Sequence, residues 1–314
     1  MHSHRVIAIV GPTASGKSAV AERLAERFGT EVISADSMQV YRGMDIGTAK
    51  TPPNRRRAPH RCVDLVDPGT PYSAALFQRD ARTAIDAVHA RGLPAVLAGG
   101  TGLYVRAALD VMAFPGGALA TETRAALDTR AADDGPALHA ELARIDPASA
   151  ALIHPNNVRR VVRALEMAAE GISYADQSAG FSSRRYHYAG TMAVGLTMDR
   201  PALYERIDAR VDEMVAAGLL GEVRALLDAG FRDALTAAQA IGYKEFVPVI
   251  EGGTPLEVAI SAVKQATRRY AKRQLTWFRA DPRITWADVT GLSPDGAFEV
   301  VADLLESAQP AEGG

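Results

Sequence analysis

The sequence predicts an α/β fold of the P-loop NTPase-like kind: a mostly parallel sheet flanked by helices, with an all-helical subdomain inserted into it. Three observations carry this. Short apolar, β-branched runs alternate with helix-patterned segments over the first 110 residues. A glycine-rich loop of the phosphate-binding type joins the first run to the first helix, and the strand signal fades from about residue 115 to about residue 170.

Taken in order, RVIAIV from Arg5 to Val10 is a buried-strand run that ends in glycine and proline, and SAVAERLAERFG continues it as a helix. EVISAD, Glu31 to Asp36, repeats the strand signal. VDLVDP from Val63 is read as a further strand stopped by Pro68, and the segment from Ser73 as a serine-capped helix closed by Gly92. PAVLAGGTGLYVRAAL from Pro94 is again strand, glycine turn and helix. The middle region, rich in alanine, arginine, glutamate and leucine, reads as inserted helices. The expected division is a core over 1–117 and 190–314 and an insertion over 118–189. TMAVGLTM, Thr191 to Met198, returns as a strand, long helices run to Arg279, and a peripheral helix follows Gly291. In such a sheet, ligands sit at the carboxyl ends of the strands. That places three turns on one rim: Gly11 to Ser18, Asp36 to Gln39, and Gly99 to Gly102.

Composition narrows the class. The 314 residues are 47% hydrophobic and 23% charged, with a formal net charge of −2. This excludes a disordered chain and a uniformly basic nucleic-acid coat, but leaves room for local basic patches. The single cysteine, Cys62, can form neither an intrachain disulfide nor a zinc site by itself and is expected to be a buried structural thiol. No apolar run is long enough to span a bilayer, and the amino-terminal stretch runs into the phosphate motif rather than a cleavage site. A cytoplasmic enzyme away from membranes is expected.

The chemistry concentrates in a few segments. GPTASGKS, formed by Gly11, Pro12, Thr13, Ala14, Ser15, Gly16, Lys17 and Ser18, fits G-x-x-x-x-G-K-[ST] in full between a predicted strand and helix. Its amides and the helix start attract a diphosphate, Lys17 adds a point charge, and the Ser18 hydroxyl can ligate Mg²⁺. The phosphate it holds need not belong to a nucleotide. Asp36 ends an apolar strand, where it is either a turn aspartate or a metal-holding or proton-accepting carboxylate facing the crevice. Gln39 has the carboxamide geometry that pairs with an adenine edge. Thr101 in GGTG offers a second hydroxyl to the rim, although a plain strand-to-helix turn explains the same glycines. KQATRRYAKRQLTWFR, Lys264 to Arg279, reads as a helix with Arg269, Arg273 and Trp277 on one line and Lys264, Arg268 and Lys272 on another. With no acid between Glu257 and Asp281, this run favours a polyanion over a solvated mixed-charge face. RRVVRALE repeats the pattern on a smaller scale, and the histidines show no metal-ligand spacing.

Together GPTASGKS, ADSMQVYRGMDIGTAK, PHRCVDLVDP, GGTGLY, HPNNVRRVVRALE, QAIGYKE and KRQLTWFR resemble the tRNA dimethylallyltransferase family, of the bacterial type, and they run in that family's order from residue 11 to 279. The resemblance implies transfer of a dimethylallyl group from its diphosphate to N6 of adenine 37 beside the anticodon of tRNA, assisted by Mg²⁺; a monomer is expected, although nothing in the sequence fixes the oligomeric state. It implies that Thr13 to Ser18 hold the donor diphosphate with Arg210 as a further cation. Asp36 becomes the proton acceptor, and Thr101 supports the acceptor site. It places tRNA contacts at Asp36, Ser37, Met38, Gln39, Thr101 and Thr123, at Arg159, Arg160, Val161, Val162 and Arg163, and at Gln239, Ala240, Ile241, Gly242, Tyr243 and Lys244. Lys272, Arg273, Gln274, Trp277 and Arg279 complete that set. The chain departs from the family pattern at Thr51, which precedes Pro52 and Pro53, and the Arg55 to Arg57 cluster is not assigned to any of the family's motifs. An adenylate isopentenyltransferase acting on AMP and a P-loop small-molecule kinase are the rival readings.

Overall fold

The computed structural model of the chain describes residues 5–114, 122–182, 184–234 and 236–307. Among them, six parallel strands form one sheet: β1 (Arg5–Val10), β2 (Val32–Ser34), β3 (His60–Arg61), β4 (Ala95–Gly99), β5 (Gly190–Thr197) and β6 (Ile284–Asp288), in the order β3-β2-β4-β1-β5-β6. β1 lies in the middle, and Val6 to Val10 are buried, as a parallel strand covered on both faces requires. Val10 is in register with Gly99 on one side and Gly195 on the other. The carboxyl ends of three neighbouring strands therefore finish level, and their loops emerge on one rim.

The helices are α1 (Lys17–Phe28), α2 (Ala74–His89), α3 (Gly102–Leu109), α4 (Glu122–Ile145), α5 (Pro147–Leu152), α6 (Val158–Ala169), α7 (Tyr174–Ser182), α8 (Arg200–Ala216), α9 (Leu219–Asp228), α10 (Val247–Ile250), α11 (Leu256–Arg279) and α12 (Pro294–Ser307). None is long and apolar enough to cross a membrane. Local chemistry sets several boundaries. Gly29, at φ 62°, closes α1 in the left-handed conformation, and the Ser73 hydroxyl caps α2 by accepting from the Leu76 amide at 3.2 Å.

The chain divides into two compact units. One comprises everything up to Leu109 and from Tyr186 onward; the other is Asp110–Arg185, against an expected insertion of 118–189. The first unit contains the sheet. Within it the His187 amide donates to the Leu109 carbonyl at 2.7 Å, so the two points where the chain leaves and re-enters this unit are hydrogen-bonded neighbours. The second unit is helical and packs Leu138, Leu142, Val161, Val162 and Leu165 into a core of its own. Its longest helix, α4, breaks at Asp134 (φ −150°), two residues before Pro136. The Asp134 carboxylate recaps the second half by accepting from the Ala137 amide at 3.0 Å.

Two strand expectations are corrected. The strand read from Val63 does not form: β3 is only His60–Arg61, and Val66 makes a single bridge to Tyr41. Cys62 (φ 59°) and Asp64 (φ 55°) are left-handed, which breaks the extension. Asp64 is drawn instead to Lys50, whose buried ammonium lies 2.6 Å from Asp64 and 2.8 Å from Asp45. Conversely, β6 adds an edge strand where none was expected. The cysteine is buried, as expected, and its thiol is pushed up to about 12, chiefly by that burial.

Candidate active site

The strand ends open into a cavity of about 640 Å³ within the first unit. The loop after β1 forms one wall. Gly11 takes φ 137°, and a Cβ there would stand 2.6 Å from the Leu196 carbonyl oxygen of the adjacent strand, so only glycine allows the chain to turn this close to β5. Ala14 (φ 65°) is left-handed without being glycine, a strained geometry at the centre of the loop. The Lys17 ammonium donates to the Pro12 carbonyl at 2.5 Å, and the Ser15 hydroxyl donates to the same oxygen at 2.9 Å. Ser18 is exposed in the first turn of α1.

Burial pulls the Lys17 ammonium down to about 7, with the Arg210 guanidinium adding to the fall and the Asp36 carboxylate opposing it. Arg210, from α8, is likewise held below the ordinary guanidinium range by burial, against the pull of Asp36. Two cations and one carboxylate, brought from three loops and helices, thus act on one another in a common cavity.

Asp36 is a turn residue that also faces the cavity. Its Oδ1 accepts from the Met38 amide at 2.9 Å, which makes it a turn residue, and its carboxylate lines the cavity. Thr101 accepts from the Ser37 amide at 3.0 Å, and its own amide donates to the Ala35 carbonyl at 3.2 Å, so it supports the turn that presents Asp36. The Gln39 carboxamide is engaged within the protein: its oxygen accepts from the Ser34 hydroxyl at 2.8 Å and its nitrogen donates to the Thr48 carbonyl at 3.1 Å. Gln239 to Lys244 run along the opposite wall, where Tyr243 is buried and donates to Glu222 at 2.6 Å.

The two basic lines of α11, both expected to meet a polyanion, have different surroundings. Val263, Ala266, Tyr270, Arg273 and Gln274 line the cavity, whereas Lys264 and Arg268 pair with Asp212 and Asp208 of α8, each at 2.7 Å. The acids missing from the helix itself are supplied by its neighbour, so that line is charge-matched. Lys272, Trp277 and Arg279 are exposed, and Trp277 rests against Gly102. Tyr270 escaped the sequence reading. Burial and the Asp36 charge push its phenol up to about 12, against hydrogen bonds from Thr101 and Gln274. The signal that finds it is the helical spacing of uncharged residues, since Tyr270 and Gln274 lie one turn apart.

The remaining candidates belong to the second unit. Thr123, Arg159 and Arg160 are exposed there; Arg163 pairs with Glu166 at 2.7 Å; Val161 and Val162 are buried in that unit's core.

A family profile described as IPP transferase matches residues 39–281, and a second, described as isopentenyl transferase, matches residues 4–62. The chain belongs to the tRNA dimethylallyltransferase family. It is 48% identical over 291 residues to the tRNA dimethylallyltransferase of Geobacillus kaustophilus (strain HTA426), covering 92% of this chain and 91% of that protein. It is 46% identical to that of Carboxydothermus hydrogenoformans, covering 91% and 92% respectively. Among solved structures, it resembles the tRNA isopentenylpyrophosphate transferase of Bacillus halodurans at 43% identity and a TM-score of 0.71, covering 97% of this chain and 96% of that one. It also resembles a eukaryotic dimethylallyltransferase acting on tRNA at 30% identity and a TM-score of 0.80, covering 98% and 81%.

Proposed function

We propose that this chain transfers a dimethylallyl group from dimethylallyl diphosphate to N6 of adenine 37 in tRNA, giving N6-isopentenyladenosine and diphosphate. The observation that carries it is the meeting of Lys17, Arg210 and Asp36 in one cavity at the sheet rim. The phosphate loop binds the donor diphosphate through its amides and Lys17. As the allylic carbon–oxygen bond breaks, negative charge grows on the departing oxygen, and Lys17 and Arg210 face it in a partly desolvated setting. N6 of adenine is a weak nucleophile because its lone pair is delocalised into the ring. Asp36 orients the amine and takes its proton as the carbon–nitrogen bond forms. Thr101, through Ser37, holds the turn that aims that carboxylate.

Mg²⁺ fits the oxygen donors present. The Ser18 hydroxyl is a ligand of the hard type this ion prefers, and when bound it would supply countercharge to the diphosphate. A stacked base must leave its helix to reach the cavity, at a cost of about a few kcal/mol. The cationic residues Arg269 and Arg273 of α11, on the cavity wall, offset this through phosphate contacts.

Mass analysis of tRNA nucleosides after incubation with enzyme, Mg²⁺ and the five-carbon donor tests the proposal. The expected result is the isopentenyl mass increment on adenosine. Prenylation of free AMP with tRNA untouched, or conversion of ATP to ADP without any prenyl donor, would overturn it.

A further inference from the structure

The Gln274 side chain is 5% exposed, and both ends of its carboxamide are engaged. Its oxygen accepts from the Thr13 amide of the phosphate loop at 2.8 Å, and its nitrogen donates to the Gly100 carbonyl of the GGTG turn at 2.9 Å. These partners lie 261 and 174 residues away in sequence. The fit is tight, because a Cβ on Gly100 would stand 2.2 Å from the Gln274 nitrogen. Gly100 is followed directly by Thr101, whose hydroxyl accepts from the Ser37 amide beside Asp36 at 3.0 Å. Three hydrogen bonds and the Gly100–Thr101 peptide link therefore join Thr13, through Gln274, to the Asp36 turn. A buried carboxamide committed in this way has little left to offer an RNA.

We propose that Gln274 is a positioning residue, which fixes the donor-binding loop to the acceptor turn so that the diphosphate and the proton-accepting carboxylate keep their separation. The inference rests on the proposed prenyl transfer for its catalytic meaning. Two predictions separate it from a direct RNA contact. Without Gln274 the half-buried Thr13 amide loses its partner and the loop relaxes, so donor handling suffers. The affinity for RNA, set elsewhere on α11, does not.

The test compares wild type, Gln274→Met, Gln274→Glu and Gly100→Ala, the last displacing the carboxamide without altering Gln274. Binding of inorganic diphosphate and of an anticodon stem-loop RNA is measured, together with kcat and KM for the donor. In Gln274→Met and Gly100→Ala, diphosphate affinity is expected to fall by about tenfold, the effect of losing the hydrogen bond that orients the half-buried Thr13 amide, with stem-loop affinity kept within about twofold. Gln274→Glu adds a signature that a merely structural role lacks. Its carboxyl can still accept from Thr13 but donates to Gly100 only when protonated, so its kcat/KM relative to wild type should rise as pH falls from 8 to 5.5, an approximate window set by the usual range of carboxyl titration when buried. Unchanged diphosphate affinity, or a fall in stem-loop affinity alone, overturns the proposal. If wild type itself fails to modify tRNA, the catalytic reading falls, while the diphosphate comparison still decides whether Gln274 anchors the loop.

Discussion

Lys17 and Asp36 come from loops after two different strands, yet the Asp36 carboxylate acts on the Lys17 ammonium across the cavity. That opposition assigns them different tasks. Asp36→Ala is expected to cut turnover by about 10² or more, the scale of general-base assistance, with stem-loop affinity unchanged in a filter-binding assay. Lys17, held at about 7, is largely cationic only below that pH in the free enzyme. Diphosphate affinity should therefore fall as pH rises through 7, beyond the ligand's own titration, and Lys17→Met should show only the ligand's contribution. The folded pKa lies below the unfolded value of 10.5, so the unfolded chain binds more protons between the two, and this residue makes the fold more stable as pH rises through that window. Denaturant titration should show Lys17→Met gaining over wild type at pH 7 and losing that advantage toward pH 10. The positions of both residues were legible in the sequence, from a full phosphate-loop motif and from a carboxylate at a strand end. The engagement of Gln39 with Ser34 and Thr48 was not, because an amide's partners depend on how a loop closes rather than on its neighbours in sequence.

At the scale of elements, α11 shows where a charge count misleads. Arg269 and Arg273 line the cavity, whereas Lys264 and Arg268 are answered by α8. Reversing both Arg269 and Arg273 to Glu should weaken stem-loop binding and flatten the dependence of log K on log salt by about 0.7 for each lost phosphate contact. Lys264→Gln should leave both nearly unchanged, and salt titration of the two variants separates the faces. The strand–turn–helix units around β1 and β4 could be read directly, because buried parallel strands are short apolar runs bounded by glycine. β6 could not: its outward residues are polar or aromatic at a sheet edge, and ITWAD carries little periodicity. The segment from Val63 failed in the opposite sense. Its strand propensity was overridden by the pull of Lys50 on Asp64, a contact invisible to local pattern.

The molecule as a whole is a sheet-bearing unit interrupted by a helical one, and the interruption begins and ends at backbone neighbours, Leu109 and His187. Replacing residues 111–185 with a short glycine linker should leave a chain that unfolds cooperatively and still binds diphosphate, as calorimetry and a binding titration would show, but that no longer modifies tRNA. The insertion itself was legible as a loss of strand signal, while its edges were not, since the helix α3 before it and the loop after it share its composition. The buried Cys62 has a practical consequence at this scale. With a thiol titrating at about 12 and no second cysteine in 314 residues, the protein offers maleimide reagents nothing to attack at neutral pH. One cysteine introduced on each unit would then carry a dye or spin label against a silent background, and the distance between the two labels during turnover could be followed in solution.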